Sequence, residues 1–138
     1  MLINTMKMKY LAIIFLALMC SSFSKKEYVK TYYSNGNMKE EGWLLNGKKT
    51  EYWFYYYESG SKRCEGHYKN NLKVDWWVFY DSNGKIIKKA EFNQDVQNGF
   101  TIVYKNEEIV LAEKYKNGIK LKSWKTLSDF KKDNANLF

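Results

Sequence analysis

A pattern that recurs every twenty-four residues limits what this chain can fold into more than any other feature. Glycine recurs at this spacing, as Gly36, Gly60 and Gly84. Aromatic and apolar residues recur in three further ladders: Tyr32, Tyr56, Tyr80 and Tyr104; Phe54, Val78 and Ile102; and Tyr52, Trp76, Phe100 and Trp124. A fixed period of about 20 to 50 residues is typical of a repeat architecture, in which one supersecondary unit stacks on the next.

Turn signals divide each repeat into two short segments. Asn-Gly pairs at 35–36, 46–47 and 83–84 lie between strand-like segments. Because both residues tolerate positive φ, such pairs are the strongest short hairpin signal. The turns recur about every 11 to 13 residues, with no helical period between them. The sequence therefore predicts an all-β fold, an elongated single-layer antiparallel β-meander built from about four β-hairpin repeats.

The C-terminal end of the chain departs from the pattern. Tyr115 comes one residue early before Trp124 restores the phase, which predicts a shortened turn or a β-bulge. Beyond Trp124, we expect the tail, residues 125–138, to form one or two helical turns or a flap that closes the last repeat. Thr126 and Ser128 are the candidate N-caps of this helix.

Side-chain alternation assigns the aromatic residues to two faces. One face carries the stripe that begins with Tyr52, Phe54 and Tyr56 and continues through the equivalent residues of later repeats, Trp76 among them. We expect this stripe to be the buried core. The opposite face then carries four exposed rings, which are the predicted binding residues: Trp53, Tyr55, Trp77 and Phe79. Exposed apolar patches are commonly binding surfaces. The alternative is that the sheet curls, so that lysine stems, neighbouring loops or the tail cover these rings.

The N-terminal segment has the order of a leader. Lys7 and Lys9 precede an apolar run at residues 10–19, and small polar residues follow it. This order is typical of a secretory signal peptide, and the run is shorter than the roughly 20 apolar residues of a transmembrane helix. We therefore divide the chain into a signal peptide, residues 1–24, a repeat domain, residues 25–124, and the tail. We expect the protein to be exported.

Two processing sites fit the leader, and the sequence leaves both open. Ser22 and Ser24 are small residues at the two positions that a general signal peptidase inspects, which gives Lys25 as the new N-terminus. The segment LALMC resembles a bacterial lipobox with Cys20 as the lipidation site, although Met19 stands where glycine, alanine or serine is usual. Lipidation would anchor the protein in a membrane. Simple cleavage would place it in the periplasm, the envelope or at the cell surface.

The chain is basic. Its formal net charge is +8, and removal of Lys7 and Lys9 with the leader leaves +6. A basic surface attracts anionic partners such as lipid headgroups or acidic envelope polymers, but lysines also keep sheet surfaces and edges soluble. Basic residues interleaved with aromatic ones can hold single-stranded nucleic acid. An exported protein seldom meets such strands, which argues against this partner.

Few residues could carry out chemistry. His67 is the only histidine, and it lies two residues after Glu65. Cys64 has no disulfide partner in a processed chain, although Lys62 and Arg63 beside it could favour its thiolate. Cys64 and His67 alternate onto opposite faces, and a structural zinc site needs four ligands. The sequence therefore predicts no enzyme, no metal site and no cofactor.

The repeat unit resembles the bacterial variant of the MORN repeat. The resemblance is carried by YYSNGNMKEEGWLLNGKK and YYESGSKRCEGHYKNN, and it extends from Tyr32 to Trp124. It implies hairpins stacked into an elongated antiparallel sheet. The family places a glycine before the strand aromatic, and only the third of the four equivalent positions here keeps it: Glu51, Asp75, Gly99 and Ser123.

The resemblance implies two functions. Many bacterial proteins of this kind carry an antitoxin label of the YwqK type, and eukaryotic MORN arrays occur in membrane-associated and scaffold proteins. The first function is a non-catalytic binding module at the cell envelope, whose partner is an unknown protein or an anionic envelope component. The second is an antitoxin-like inhibitor, which a neighbouring toxin gene and a retained leader would favour.

Overall fold

The structure, a computed structural model, describes residues 24–137 and contains one open sheet in which nine antiparallel strands pair in chain order. The strands are β1 (Lys26–Tyr32), β2 (Met38–Leu45), β3 (Lys48–Tyr56), β4 (Lys62–Lys69), β5 (Leu72–Tyr80), β6 (Ile86–Asn93), β7 (Val96–Lys105), β8 (Glu108–Lys116) and β9 (Ile119–Trp124). A helix, α1 (Leu127–Asp133), and a short 3-10 helix, Ala135–Leu137, follow. The predicted single-layer β-meander is confirmed. The lipidation candidate Cys20 lies outside the described residues.

Equivalent turns of successive repeats are tied together. The turn between β2 and β3 holds Asn46 in a left-handed conformation with φ 52°. The Oδ1 atom of Asn71 accepts a hydrogen bond from the backbone N–H of Lys49 at 2.6 Å, and Oδ1 of Asp95 accepts one from the N–H of Lys73 at 2.8 Å. These bonds join each hairpin to the next, so the repeat in the sequence becomes a regular stack of hairpins.

A β-bulge with two extra residues recurs near the start of β3 and β5. Gly42 on β2 pairs with Trp53, whereas the next residue, Trp43, pairs with Thr50. Glu51, inside the bulge, has a left-handed backbone conformation with φ 58°. A bulge of this kind bends the strand and increases its twist. It also makes Trp53, and not Glu51, the partner of Gly42.

Each bulge places a tryptophan ring on a glycine. A Cβ atom at Gly42 would lie closer than 3.0 Å to the Trp53 ring, so only glycine leaves room for it. The indole N–H of Trp53 donates to the carbonyl oxygen of Thr50, at the bulge, at 3.1 Å. Trp77 lies on Gly66 in the same way. Glycine, bulge and tryptophan therefore form one structural unit in each of these repeats.

The two tryptophans form the centre of the core. Trp53 is 1% exposed, Trp77 is 0% exposed and Tyr55 is 9% exposed, and Phe79 is half-buried against them. We call this side of the sheet the core face. The Nζ atom of Lys49 lies 4.1 Å from the centroid of the Trp53 ring, so a lysine stem covers that ring. The prediction that these rings are exposed is wrong. Of the coverings that the alternative named, the one by lysine stems is confirmed.

The opposite side, which we call the stripe face, carries the side chains of Tyr52, Phe54, Tyr56 and their equivalents. The expected continuous apolar stripe is interrupted, because polar or charged side chains of β4 and β6 lie between its members: Glu65, His67, Lys89 and Glu91. Most of its rings are only half-buried, and Trp76 is 38% exposed. The expectation that this stripe, with Trp76, is the buried core is therefore wrong. The reason is that two rings of the core face, Trp53 and Trp77, pack directly on glycines and are buried there.

Helix α1 packs on the stripe face at the C-terminal end of the sheet. Thr126 is its N-cap, one of the two residues expected. Phe130 packs edge-on against Trp124, with ring centroids 5.2 Å apart, and lies 5.6 Å from the centroid of Phe100. The indole N–H of Trp124 donates to Oδ2 of Asp133 at 2.6 Å. The helix therefore covers the last strand on this side only.

The irregular last repeat contains the expected bulge. Lys114 pairs with Lys122, but the next residue, Tyr115, pairs with Lys120. Leu121 is the extra residue on β9, and its side chain is 57% exposed. The bulge restores the phase that the short repeat loses.

The strained residue of the β5 bulge leads to a stability prediction. Asp75 has φ 59°, a conformation that costs a residue with a side chain about 1 to 2 kcal/mol. Glycine avoids this cost but loses about 0.5 to 1 kcal/mol of chain entropy on folding. We expect Asp75→Gly to raise the free energy of unfolding by about 0.5 to 1 kcal/mol, as measured by chemical denaturation. Asp75→Ala is the control, because it removes the carboxylate and keeps the strain; an equal gain in both variants would contradict the backbone explanation.

Candidate functional site

The core face offers no open binding surface at its centre. The hydroxyl of Tyr55 donates to that of Tyr68 at 2.9 Å and accepts from Nζ of Lys49 at 2.8 Å. Burial raises the pKa of Tyr55 far above its usual value, so this phenol stays neutral. The four predicted binding residues are all part of this core: Trp53, Tyr55, Trp77 and Phe79. Their burial removes the observation on which their predicted binding role rested.

Tyrosine–carboxylate pairs close the stripe face in the first two repeats. The hydroxyl of Tyr56 donates to Glu41 at 2.7 Å, and the hydroxyl of Tyr80 donates to Glu65. Lys62 adds an ion pair to Glu65 at 2.8 Å. Burial acts to raise the pKa of Glu41, but hydrogen bonds from tyrosine and lysine side chains outweigh it and lower that pKa. The carboxylates of Glu41 and Glu65 are thus held within the chain.

The third repeat breaks this pattern at two positions. Lys89 stands where the earlier repeats carry glutamate, and Glu91 stands where the second repeat carries His67. His67 packs edge-on against Tyr52, with ring centroids 4.7 Å apart. Trp76, the equivalent of Tyr52, pairs instead with Glu91, which offers no ring. Trp76 is therefore left 38% exposed on the stripe face.

An apolar groove of about 450 Å³ lies between Trp76 and helix α1. Its floor consists of side chains from β7, β8 and β9: Phe100, Ile102, Ala112 and Trp124. Leu127 and Phe130 of the helix form one wall. Leu127 is 65% exposed, and Ile109, which also lines the groove, is 62% exposed. A concave apolar surface of this size is typical of a binding site.

Trp76 also lines a second space, a polar pocket of about 530 Å³. The polar groups of this pocket come from β4, β5, β6 and β7: Lys69, Asp75, Glu91, Asn93 and Asn98. The pocket lies beside the bulge of β5 and a similar bulge of β7, where Ala90 pairs with Thr101 but Phe92 pairs with Gln97. Trp76 is the one residue that lines both the apolar groove and the polar pocket.

Lysines surround the apolar groove. The Nζ atom of Lys114 lies 5.3 Å from the centroid of the Phe100 ring, and Lys125 lines the groove directly. Lys89 pairs with Ile102, a floor residue, in the register of β6 and β7. Lys114 and Lys125 therefore place positive charge at the groove, and Lys89 lies on the strand beside its floor.

The acidic groups near the groove are bound within the chain. Glu91 accepts a hydrogen bond from the backbone N–H of Phe100 at 2.8 Å. Asp133 accepts hydrogen bonds from Lys122 and from the indole of Trp124, and these bonds lower the pKa of its carboxyl group. Asp129 accepts a hydrogen bond from the hydroxyl of Thr126, the N-cap residue of α1, at 2.7 Å. Asp133 is paired with Lys122, whereas Glu91 and Asp129 accept from neutral donors, keep their negative charge and offset part of the positive charge around the groove.

Cys64 and His67 lie on opposite faces, as the sequence predicts. Cys64 packs against the core, and burial raises the pKa of its thiol despite the nearby cations Arg63 and Lys73. His67 is exposed on the stripe face. The two side chains therefore do not form a nucleophile and base pair. Among residues 24–137, no group of three or more His, Cys, Asp or Glu side chains is arranged to hold a metal ion.

The sequence interpretation misses the residues that form the groove. It places Trp76 in the core, and it does not single out Ile109 or Leu127. The signal that could have found the site is the loss of the repeat pattern at Lys89 and Glu91. In a stack of similar hairpins, a side chain that loses its usual partner leaves a gap at that level of the stack.

Comparison with known proteins gives no family assignment. No family model matches the chain, and no curated protein matches it significantly. Within the part of the chain that the structure describes, no helix has the length and apolar character needed to cross a membrane. The chemistry of the groove and the pocket therefore rests on their own residues.

Proposed function

We propose that this protein is a non-catalytic binding module of the cell envelope, built from MORN-like repeats, and that its apolar groove holds a short segment of a partner protein. One observation carries the proposal: the third repeat loses the side chains that close the stripe face, and an apolar groove with an exposed tryptophan opens there. Tryptophan is enriched among the residues that dominate binding energy in protein interfaces.

The groove fits a segment with large apolar side chains flanked by carboxylates. Its floor and helix wall are apolar, and an unpaired polar group buried there would cost about 1 to 3 kcal/mol. Lys89, Lys114 and Lys125 lie near it and outnumber the two nearby carboxylates that accept from neutral donors, Glu91 and Asp129. Carboxylates beside the apolar anchors would therefore meet positive charge, which speeds association and disfavours basic partners.

The size of the groove fits a short linear segment. It extends from Trp76 on β5 to Trp124 on β9, which is four inter-strand spacings, or roughly 19 Å at about 4.8 Å each. An extended peptide covers that distance with about six residues. A flexible tail or loop of the partner would be long enough.

The envelope location rests on the leader, whose residues 1–23 lie outside the described part of the chain. The net charge of +6 that remains after removal of the leader supports a site among anionic envelope components. The intact mass and N-terminal sequence of the protein from its producing cells distinguish cleavage after Ser24, a lipidated Cys20 and a retained leader.

Selection from a phage library of random short peptides tests the partner chemistry. We expect the purified protein to enrich peptides that carry two or more large apolar residues with Asp or Glu beside them. The double variant Trp76→Ser/Leu127→Ser should bind these peptides at least about tenfold more weakly, because each change removes apolar contact worth about 1 to 2 kcal/mol. Ile119→Ser is the matched control, since Ile119 is 68% exposed but does not line the groove.

Three results would contradict this proposal. The first is that the selection does not enrich acidic apolar peptides. The second is that the wild type and the double variant bind the peptides equally, and the third is that Ile119→Ser loses binding. Vesicles of phosphatidylglycerol form a further arm of the experiment. If they bind in a groove-dependent way and peptides do not, a membrane surface occupies the groove and the partner-protein proposal is wrong. Circular dichroism verifies that each variant is folded.

A further inference from the structure

We propose that the polar pocket beside Trp76 binds a saccharide ring, neutral or carrying an amino group, with the indole of Trp76 as its stacking surface. This ligand class goes beyond the proposed function. The pocket shares only Trp76 with the apolar groove, and its remaining lining residues come from β4 to β7.

Two of the pocket's polar side chains are held in fixed orientations. Glu91 uses Oε2 to accept from the N–H of Phe100 at 2.8 Å, and its carboxylate lies where a side chain at Gly99 would collide with it. This leaves Oε1 as an acceptor for a ligand. Asn98 uses Oδ1 to accept from the N–H of Asn117 at 3.1 Å, which leaves its Nδ2 group as a donor.

The other polar groups complete a mixed set of donors and acceptors. Asp75 and Asn93 are exposed and offer a carboxylate and an amide, while Lys69 offers an ammonium group. A simple anion would need donors in excess, and a metal ion would need acceptors in excess. A sugar ring fits the mixed set, because each hydroxyl group both donates and accepts.

The aromatic residue fits the same ligand. A pyranose ring has one face of C–H groups, and such a face packs well on an indole ring, whose surface is apolar and carries partial negative charge. Trp76 is 38% exposed and lines the pocket. The pocket volume of about 530 Å³ lies within the usual range of small-ligand sites, and its open shape admits a ring from a longer chain.

At the equivalent position of the preceding repeat, the corresponding side chains contact other parts of the chain. There Tyr52 packs against His67 with ring centroids 4.7 Å apart, and Glu51 is bound by Lys26 at 2.6 Å. The pocket therefore arises from specific changes in the third repeat and not from the repeat geometry itself.

The charge of the pocket selects among saccharides. Asp75 and Glu91 place two carboxylates in it against the single ammonium group of Lys69. Sugars that carry carboxylate or phosphate groups would be repelled, whereas neutral and amino sugars would not. The distinction matters because a basic protein would otherwise be expected to prefer acidic polymers.

Isothermal titration with four oligosaccharides tests the proposal: cellohexaose, chitohexaose, hexaglucosamine and hexagalacturonate. We expect at least one of the first three to bind and hexagalacturonate to bind at least about tenfold more weakly. Trp76→Ala should weaken binding about tenfold or more. Asp75→Asn, which keeps the shape of the side chain and changes its charge, should weaken hexaglucosamine more than cellohexaose.

Leu127→Ser distinguishes this site from the groove, because Leu127 lines the groove and does not line the polar pocket. It should leave saccharide binding unchanged while it weakens peptide binding, so each proposal can fail without the other. The saccharide proposal is overturned if none of the neutral or amino oligosaccharides binds, if hexagalacturonate binds best, or if binding is insensitive to both Trp76→Ala and Asp75→Asn. It is also overturned if Leu127→Ser abolishes saccharide binding.

Discussion

Replacement of Trp77 by alanine is expected to lower the free energy of unfolding by about 3 to 5 kcal/mol. Trp77 is 0% exposed, and its ring lies 5.0 Å from the centroid of Tyr68 and 6.1 Å from that of Tyr55. Its indole N–H donates to the carbonyl oxygen of His67 at 3.1 Å. A domain of this kind has a total stability of about 5 to 15 kcal/mol, so the variant would be close to unfolding at room temperature.

The neighbouring tryptophan is the matched control for this prediction. Trp76 is 38% exposed on the stripe face, so Trp76→Ala should cost about 1 kcal/mol or less. Urea denaturation followed by circular dichroism measures both variants. If Trp76→Ala cost more than Trp77→Ala, the assignment of the two faces in the structure would be wrong.

The fold was predictable because its signals are local. Asn-Gly turns and alternating aromatic residues act within a few positions, and the twenty-four-residue period repeats them along the chain. The strand β1 (Lys26–Tyr32) was harder to predict. It is the first strand of the sheet, so no described strand precedes it to complete its repeat. Its phase could still have revealed it, since Tyr28 and Tyr32 stand twenty-four residues before Tyr52 and Tyr56.

The buried face was not predictable from alternation alone. Alternation places Trp76 and Trp77 on opposite faces but does not say which of them faces the core. In a single-layer sheet, neither face is covered by a second sheet. The answer depends on which residue lies opposite Gly66. Regular pairing from the turn would place Asp75 there, and the two-residue bulge places Trp77 there instead. The bulge is hidden in the sequence, because Asp75 and not glycine holds the left-handed position at φ 59°.

The candidate site was partly readable in the sequence. The changes to Lys89 and Glu91 stand out against the repeat, but their meaning depends on the stripe face being open. If the stripe face is taken to be the buried core, Lys89 and Glu91 are interpreted as charged side chains that form solvent-exposed pairs across strands. Once the core is placed on the other face, the same two changes mark the position where Trp76 loses its ring partner and both cavities open.

Gly66→Ala adds a single methyl group and should lower the free energy of unfolding by about 1 to 3 kcal/mol. The added methyl group would lie closer than 3.0 Å to the Trp77 ring, which is itself fully buried. Gly66 is a strand residue without a positive φ, so backbone strain would not contribute. The cost would be steric, and removal of the ring should abolish it.

The chain contains a natural version of the compensated pair. One repeat later, Ala90 lies opposite Thr101 in place of glycine opposite tryptophan, and both residues are buried. The double variant Gly66→Ala/Trp77→Thr reproduces this pair. We expect it to cost at least about 1 kcal/mol less than the sum of the two single variants, because alanine no longer meets the ring. Additive losses in a double-mutant cycle by urea denaturation would show that Gly66 does not act through Trp77, and the glycine–tryptophan unit would then not explain the buried face.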